Sequence, residues 1–218
     1  MLRSVSMDEI SDGKLYLAND MVRADTLGCN GCHACCCHMG NSILLDPLDI
    51  YELSKGLNTT ADTLFDKQLM LTFVDGLMLP AIAMTKDKDQ CSFLDASGRC
   101  SIHSFRPGFC RLFPLGRIYH DRSFSYFLQT NQCQKDHLSK IKVRQWVNIS
   151  QFKRYEQYVS DWHYFLKEAV SASEGLSPEL IKTLQSYILK AFYLTPYKNT
   201  DFYDQFYIRL KIAKDLLL

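Results

Sequence analysis

The residues of this chain best equipped for chemistry are its nine cysteines, and they fall into two groups. The first is Cys29-Asn-Gly-Cys32-His-Ala-Cys35-Cys36-Cys37, and the second is spread over Cys91, Cys100, Cys110 and Cys133, with no thiol between the groups. A Cys-x-x-Cys step brings two sulfurs within reach of one ion or one iron–sulfur cluster, and thiolates favour soft or borderline metals. The layout therefore reads as a metal site assembled from two distant pieces of chain, with disulfide bonding as the rival. Successive side chains diverge in helix and strand alike, so Cys35, Cys36 and Cys37 cannot all face one metal without strain.

Composition weighs against disulfides. They belong to short exported chains, whereas this one opens Met-Leu-Arg-Ser-Val-Ser-Met-Asp-Glu-Ile, with acids where a signal peptide needs an apolar run. No stretch reaches the ~18 apolar residues that suggest a membrane span, so a cytoplasmic protein with metal-ligating thiols is expected. Its 25 basic and 24 acidic residues give no electrostatic reason to bind nucleic acid or an anionic membrane. Its 47% apolar content suits a globular protein with a real core.

The elements that must position the thiols are legible in part. The first two dozen residues carry no period and are expected to wrap the surface. Ile43-Leu44-Leu45 reads as a short extended piece. Asp46-Pro47 with Asp49 three residues after Asp46 marks a helix start, ending near Gly56, and Thr59 or Thr60 caps another short helix through Gln68. Asp75-Gly76 supplies the positive-φ residues of a hairpin turn inside 71–79. Two further hairpins are expected, Cys91 to Ile102 around Ser97-Gly98 and Leu115 to Leu128 around His120 to Ser123. From Lys140 onward Trp146, Ile149, Phe152, Tyr155, Val159, Trp162 and Phe165 recur at helical spacing, predicting one long amphipathic helix. It breaks at Ser173-Glu-Gly175; Ser177-Pro178 opens a second helix, and Asp201 caps a third. The expected fold is α+β and predominantly helical. Residues 1–139 form a small cysteine-rich, metal-centred domain with short hairpins, and residues 140–218 a helical segment packed on it. A protein partner or substrate is expected at these C-terminal helices.

The second cysteine segment continues Cys91-Ser-Phe-Leu, Cys100-Ser-Ile-His103, Arg106-Pro107-Gly-Phe-Cys110-Arg111 and Phe113-Pro114. With Cys29-x-x-Cys32-x-x-Cys35-Cys36 and the step from Leu45 to Asp49-Ile50, it resembles the YkgJ-type cysteine-cluster family, described as zinc- or iron-chelating. The resemblance covers roughly residues 29 to 135. It implies a ligand set of Cys29, Cys32, Cys35, Cys36, Cys91, Cys100, Cys110 and Cys133, leaving Cys37 as an addition. Flagellin lysine N-methylases contain this module, so the resemblance also implies S-adenosylmethionine-dependent lysine methylation as an activity to test. His33-Ala34 and His103 depart from the family's glycine and tyrosine, and place imidazoles, like that of His38, near proposed ligands.

Four thiolates around Zn²⁺ or a 4Fe–4S core leave a net charge of about −2. Arg106 and Arg111, flanking Cys110, could supply counter-charge and N–H donors to such a centre. Three functions compete on this evidence. One is a catalytic or redox iron–sulfur protein, one a zinc- or iron-binding structural or carrier module, and one a thiol enzyme with Cys37 or another unligated cysteine as nucleophile and His33 or His38 as base. No Gly-x-Gly-x-x-Gly or phosphate loop is present, so a Rossmann-type methyltransferase is not expected. Because metal binding energy is folding energy in such sites, Cys32→Ser and Cys110→Ser are each expected to unfold the N-terminal part.

Overall fold

The computed structural model describes residues 6–26, 32–135, 138–198 and 201–217. In chain order these form α1 (Met7–Ile10), β1 (Met21–Asp25), α2 (Pro47–Leu57), α3 (Ala61–Lys67), β2 (Leu69–Val74), β3 (Leu77–Ile82), α4 (Gly108–Leu112), β4 (Leu115–His120), β5 (Ser123–Leu128), β6 (Ser139–Lys142), α5 (Val143–Val147), α6 (Phe152–Ser173), α7 (Pro178–Ile188) and α8 (Phe202–Leu217). The strands pair as three separate antiparallel ribbons, β1 with β6, β2 with β3 and β4 with β5. The architecture is α+β, with short hairpins first and helices last.

Two of the three expected hairpins form. β2 and β3 turn at Asp75 and Gly76, with φ of 47° and 91°, and β4 and β5 turn at Asp121 and Arg122, with φ of 47° and 55°. Positive φ at both central residues matches the twist of the flanking strands. The third expected hairpin, Cys91 to Ile102, is instead a looped turn with a single bridge between Leu94 and Cys100. Asp95 Oδ1 accepts from the amides of Ser97 and Arg99, both at 2.9 Å, so a side chain holds the turn that a strand ladder would have held.

Other boundaries moved for identifiable reasons. Residues 21–25, in a stretch expected to wrap the surface, form β1, which pairs with β6 and buries Val22 and Ala24 in the core. α2 ends at Leu57, beside Gly56 as expected, with Asn58 in the left-handed region as its cap, and Gly56 also makes room for the Phe105 ring, which a Cβ there would meet at 2.6 Å. The long helix expected from Lys140 is two, because Asn148 and Gln151 both adopt positive φ and split α5 from α6. Trp146 therefore leaves the α6 stripe, and its Nε1–H points to the carbonyls of Leu112 and Phe113 at 3.3 and 3.2 Å, beside the Cys110 helix. The expected domain boundary at 139/140 falls inside β6.

One core runs through the described chain, from Val22 to Ala213. Tyr155, Tyr158, Val159, Trp162, Phe165 and Ala169 form the buried face of α6. Against it pack Phe192 and, from α8, Phe206, with ring centroids 4.9 Å from Trp162 and 4.6 Å from Tyr158 respectively. Such pairs contribute about 0.5–1.5 kcal/mol each beyond their area burial. The same cluster includes Ile43, Ile82, Cys91 and Ile102, so the aromatic helices and the cysteine segments share one interior.

The ring of His163 on α6 stacks on Tyr119 at 3.6 Å, and burial, aided by Lys167, pushes its pKa down to about 4. The unfolded chain, with an ordinary histidine near 6.5, binds more protons between pH 6.5 and 4, so stability falls as pH drops through that window. His163→Phe keeps the stack and is expected to remove on the order of 1 kcal/mol of this acid sensitivity, discounted for the partial exposure of the ring. Denaturant titrations of both proteins at pH 7 and pH 4.5 measure the difference, in which contributions common to both proteins cancel.

Candidate metal centre

Three segments bring the thiols together. In the first, Ala34–Cys36 forms a 3₁₀ turn and Cys37 leaves it extended, with φ −120° and ψ 147°. The tight turn sends Cys35 and Cys36 to one side. Backbone pairing then fastens this segment to the second. The amide of Cys91 donates to the Cys36 carbonyl at 2.7 Å, that of His38 to the Asp89 carbonyl at 2.8 Å, and Cys37 bridges Gln90. The two cysteine groups, far apart in sequence, are thus joined by main-chain hydrogen bonds before any metal is considered. Gly98, with φ 72°, turns the loop between Cys91 and Cys100; a Cβ there would lie 3.0 Å from the His33 ring.

The third segment is α4, which carries Cys110. Its short length gives it little stability of its own, and a buried carboxylate anchors it from α2. Asp49 Oδ1 accepts from the Gly108 amide at 2.7 Å, while Oδ2 accepts from the Asp46 amide at 3.0 Å and completes the capping box of α2. Asp46 in turn accepts from the Asp49 amide at 3.0 Å and from Tyr158 Oη at 2.9 Å. Burial, and then the neighbouring Asp46 charge, push the Asp49 carboxyl well above the usual range. Gly108 is required by the close approach, since a Cβ would stand 2.7 Å from Tyr155 Oη. Gly108→Ala is expected to displace α4, cost about 1–3 kcal/mol as overpacking does, and lower the metal retained on purification; thermal melting and metal analysis check both.

Cys32, Cys35, Cys36, Cys91, Cys100 and Cys110 line one cavity of about 280 Å³. Ile43, Ile82, Ile102 and Phe113 supply its apolar wall, and His103 and Arg106 its polar one. None of the eight described cysteines is in a disulfide. As the side chains stand, no three His, Cys, Asp or Glu among the described residues are close enough together to ligate an ion. The sulfurs surround a space instead.

The thiols are set against one another electrostatically. Cys36 donates a hydrogen bond to Cys35, which lowers the Cys35 pKa to about 7 against the opposing effect of burial and with help from the Arg106 charge. The same bond, then burial, pushes Cys36 up. Burial raises Cys91, Cys100 and Cys110, and each is raised further by the charge of other thiolates in the group. Without a cation most of these groups hold their protons at neutral pH. A bound metal reverses that balance by replacing protons with positive charge, which is the chemistry of a thiolate site.

The other sequence-predicted residues are placed as follows. Cys29 lies outside the described residues. Cys133 is half-buried and does not line the cavity, and neither does Cys37, whose thiol approaches the His33 carbonyl at 3.6 Å. Arg106 lines the cavity; its Nη1 bonds to His103 Nε2 at 2.9 Å, and its Nε is buried with no partner, a donor that a sulfur-ligated anionic centre would satisfy. Arg111 does not line it. Its Nε, Nη1 and Nη2 donate to the carbonyls of Arg106, Asn148 and Ser104 at 2.9, 3.3 and 2.7 Å, stapling the loop that leads into α4. His103 lines the cavity, its pKa lowered by burial and then by Arg106 and Arg111, and His38 Nδ1 lies 3.1 Å from Asp89. Sequence reasoning missed the role of Asp49 as the anchor of the Cys110 helix. Its capping box was visible, but its partner Gly108 is 59 residues away.

Comparisons with curated proteins and with solved structures return no match. Among the described residues no helix is long and apolar enough to cross a membrane. A family model described as "Putative zinc- or iron-chelating domain" matches residues 28–142, just over half of the chain and every cysteine that lines the cavity. The chain belongs to this CxxCxxCC family of zinc- or iron-chelating cysteine-cluster domains.

Proposed function

We propose that the protein is an iron–sulfur protein whose cluster, of the 4Fe–4S type, takes its four thiolate ligands from among Cys32, Cys35, Cys36, Cys91, Cys100 and Cys110, with Cys29 and Cys133 the further candidates that the family pattern implies. The observation that carries this reading is the number of sulfurs around one space. Six are more than one tetrahedral zinc ion can take and include the four that a cluster needs, and a cavity of 280 Å³ has roughly twenty times the room that one water-sized group needs, space for a multi-atom centre. When bound, such a cluster supplies one-electron chemistry. Within the protein, Arg106 offers an N–H donor and compensating charge, and the apolar wall limits water. Free thiols in this arrangement suit a reducing cytoplasm.

The activity to test in that reading is lysine methylation of a protein substrate with S-adenosylmethionine, implied by the resemblance to flagellin lysine N-methylases. A second reading, a zinc or iron module or metal carrier acting through a protein partner without catalysis, is favoured by one observation. Ile208, Ile212 and Leu216 form an exposed apolar ridge along α8, 63%, 48% and 65% accessible, where a partner could sit. Iron and acid-labile sulfide analysis of protein purified without oxygen or added metal separates the two. Iron with matching sulfide and a brown protein is the expected result; zinc alone in a colourless protein would replace the first reading with the second.

A further inference from the structure

The segment from Arg106 to Arg111, which leads into and through most of α4, has a second cavity on it, of about 440 Å³, and Arg106 lines both. The cation and carboxylate groups that meet in this cleft are unevenly matched. Arg111 is fixed by three backbone carbonyls, none of which neutralises it, and Arg106 Nη1 bonds to His103, which does not neutralise it either. Among the described residues neither arginine makes an ion pair, and Glu52, which lines the cleft from α2, makes neither an ion pair nor a hydrogen bond. The two other acids of the cleft are committed. Asp49 holds two backbone amides, and Asp201 takes the Arg154 guanidinium through both oxygens at 2.8 and 3.0 Å. The remaining wall is aromatic, with Tyr51 5.3 Å from Phe202 and Phe202 5.5 Å from Tyr203, ring centre to ring centre.

We propose that this cleft binds a small molecule with an α-amino carboxylate end. Its carboxylate would meet Arg106 and Arg111, its ammonium Glu52, and its remaining part the ring wall of Tyr51, Phe202 and Tyr203. A simple anion would face Glu52 and a simple cation would face two arginines; a zwitterion matches all three. The volume falls within the roughly 300–1,000 Å³ typical of small-molecule sites. The cleft does not depend on which metal the thiols hold. It also gives Arg106 a part in both sites, so that a carboxylate bound here changes the charge beside Cys35 and Cys100.

The same end group is carried by free amino acids and by S-adenosylmethionine, and the test separates them. Metal-loaded, full-length protein is titrated calorimetrically with the twenty L-amino acids and with S-adenosylmethionine. Each ligand that binds is compared with its analogue lacking the α-amino group and its analogue lacking the carboxylate, and adenosine is the control for the nucleoside. Saturable binding is expected from one or more free amino acids, or from S-adenosylmethionine and not adenosine, and should weaken about ten-fold or more in either analogue, as loss of a charge-assisted hydrogen bond implies. Glu52→Gln, which breaks no contact in the fold, should weaken the same binding about ten-fold while metal content and circular dichroism stay unchanged. No binding by any probe at millimolar concentration, or binding indifferent to Glu52→Gln, would overturn the proposal.

Discussion

Asp49→Ala is expected to strip the metal from this protein without touching a thiol. The substitution leaves the buried amide of Gly108 and the half-buried amide of Asp46 without acceptors. Each unsatisfied donor costs about 1–3 kcal/mol, so the loss is about 2–5 kcal/mol against a net stability of roughly 5–15 kcal/mol. For a chain of this size that is a fall in Tm on the order of 5–15 °C. The damage concentrates where Gly108 enters α4, so Cys110 moves away from the other five sulfurs. Asp49→Asn should fare little better, because an amide can accept from one of the two N–H groups while its own NH₂ faces the other. Leu64→Ala is the control. Leu64 is buried in α3 and does not line the thiol cavity, so a comparable destabilisation there should leave metal content intact. Metal analysis and thermal melts of the three variants provide the comparison, and equal metal loss in Leu64→Ala would show that stability alone, not the anchor, governs retention.

Cys110→Ser is expected to abolish metal binding, whereas Cys37→Ser leaves it near the wild-type level. A serine hydroxyl does not ionise near neutral pH and is a poor ligand for a soft metal. From the split ligand set alone, Cys32→Ser and Cys110→Ser should unfold the N-terminal part; the structure narrows that outcome. The core is one cluster that joins the cysteine segments to α6 and α8. The helical signal in the far ultraviolet should therefore survive, and the loss should appear as faster amide exchange and proteolysis around residues 32–42 and 91–113. Cys133→Ser discriminates further. If the six cavity thiols are the working set, it retains metal; if the wider set implied by the family pattern is needed, it does not. Anaerobic purification of the four variants, followed by metal quantitation, reads all of these outcomes.

What could be read from the sequence, and what could not, follows from the range of the interactions. Asp46-Pro47 at the start of α2, Asp75-Gly76 in its hairpin and Ser177-Pro178 at the start of α7 were legible because a cap or turn is decided within about four residues. The 91–102 turn was misread because its reason lies in a side chain, that of Asp95, and nothing near Gly56 in the sequence shows that it also makes room for the Phe105 ring. The split between α5 and α6 hid behind an apolar spacing that continues unbroken across Asn148, where the backbone reverses sign at φ. At the site, the thiols announced themselves by type and spacing. The division of labour between the two arginines did not, because it depends on which carbonyls happen to surround Arg111 and on the burial of Arg106 Nε. Asp49 lay in plain view as a capping residue, yet nothing local says that its second oxygen reaches the Cys110 helix.

The central claim is that the sulfurs gathered around the 280 Å³ cavity hold the metal. X-ray absorption at the metal edge, on wild-type protein purified without oxygen or added metal, tests it most directly. The account predicts iron with a sulfur-only first shell and further iron atoms in the second, lost together in Cys110→Ser. A first shell of nitrogen or oxygen, or a wild-type protein that retains no metal, would contradict it.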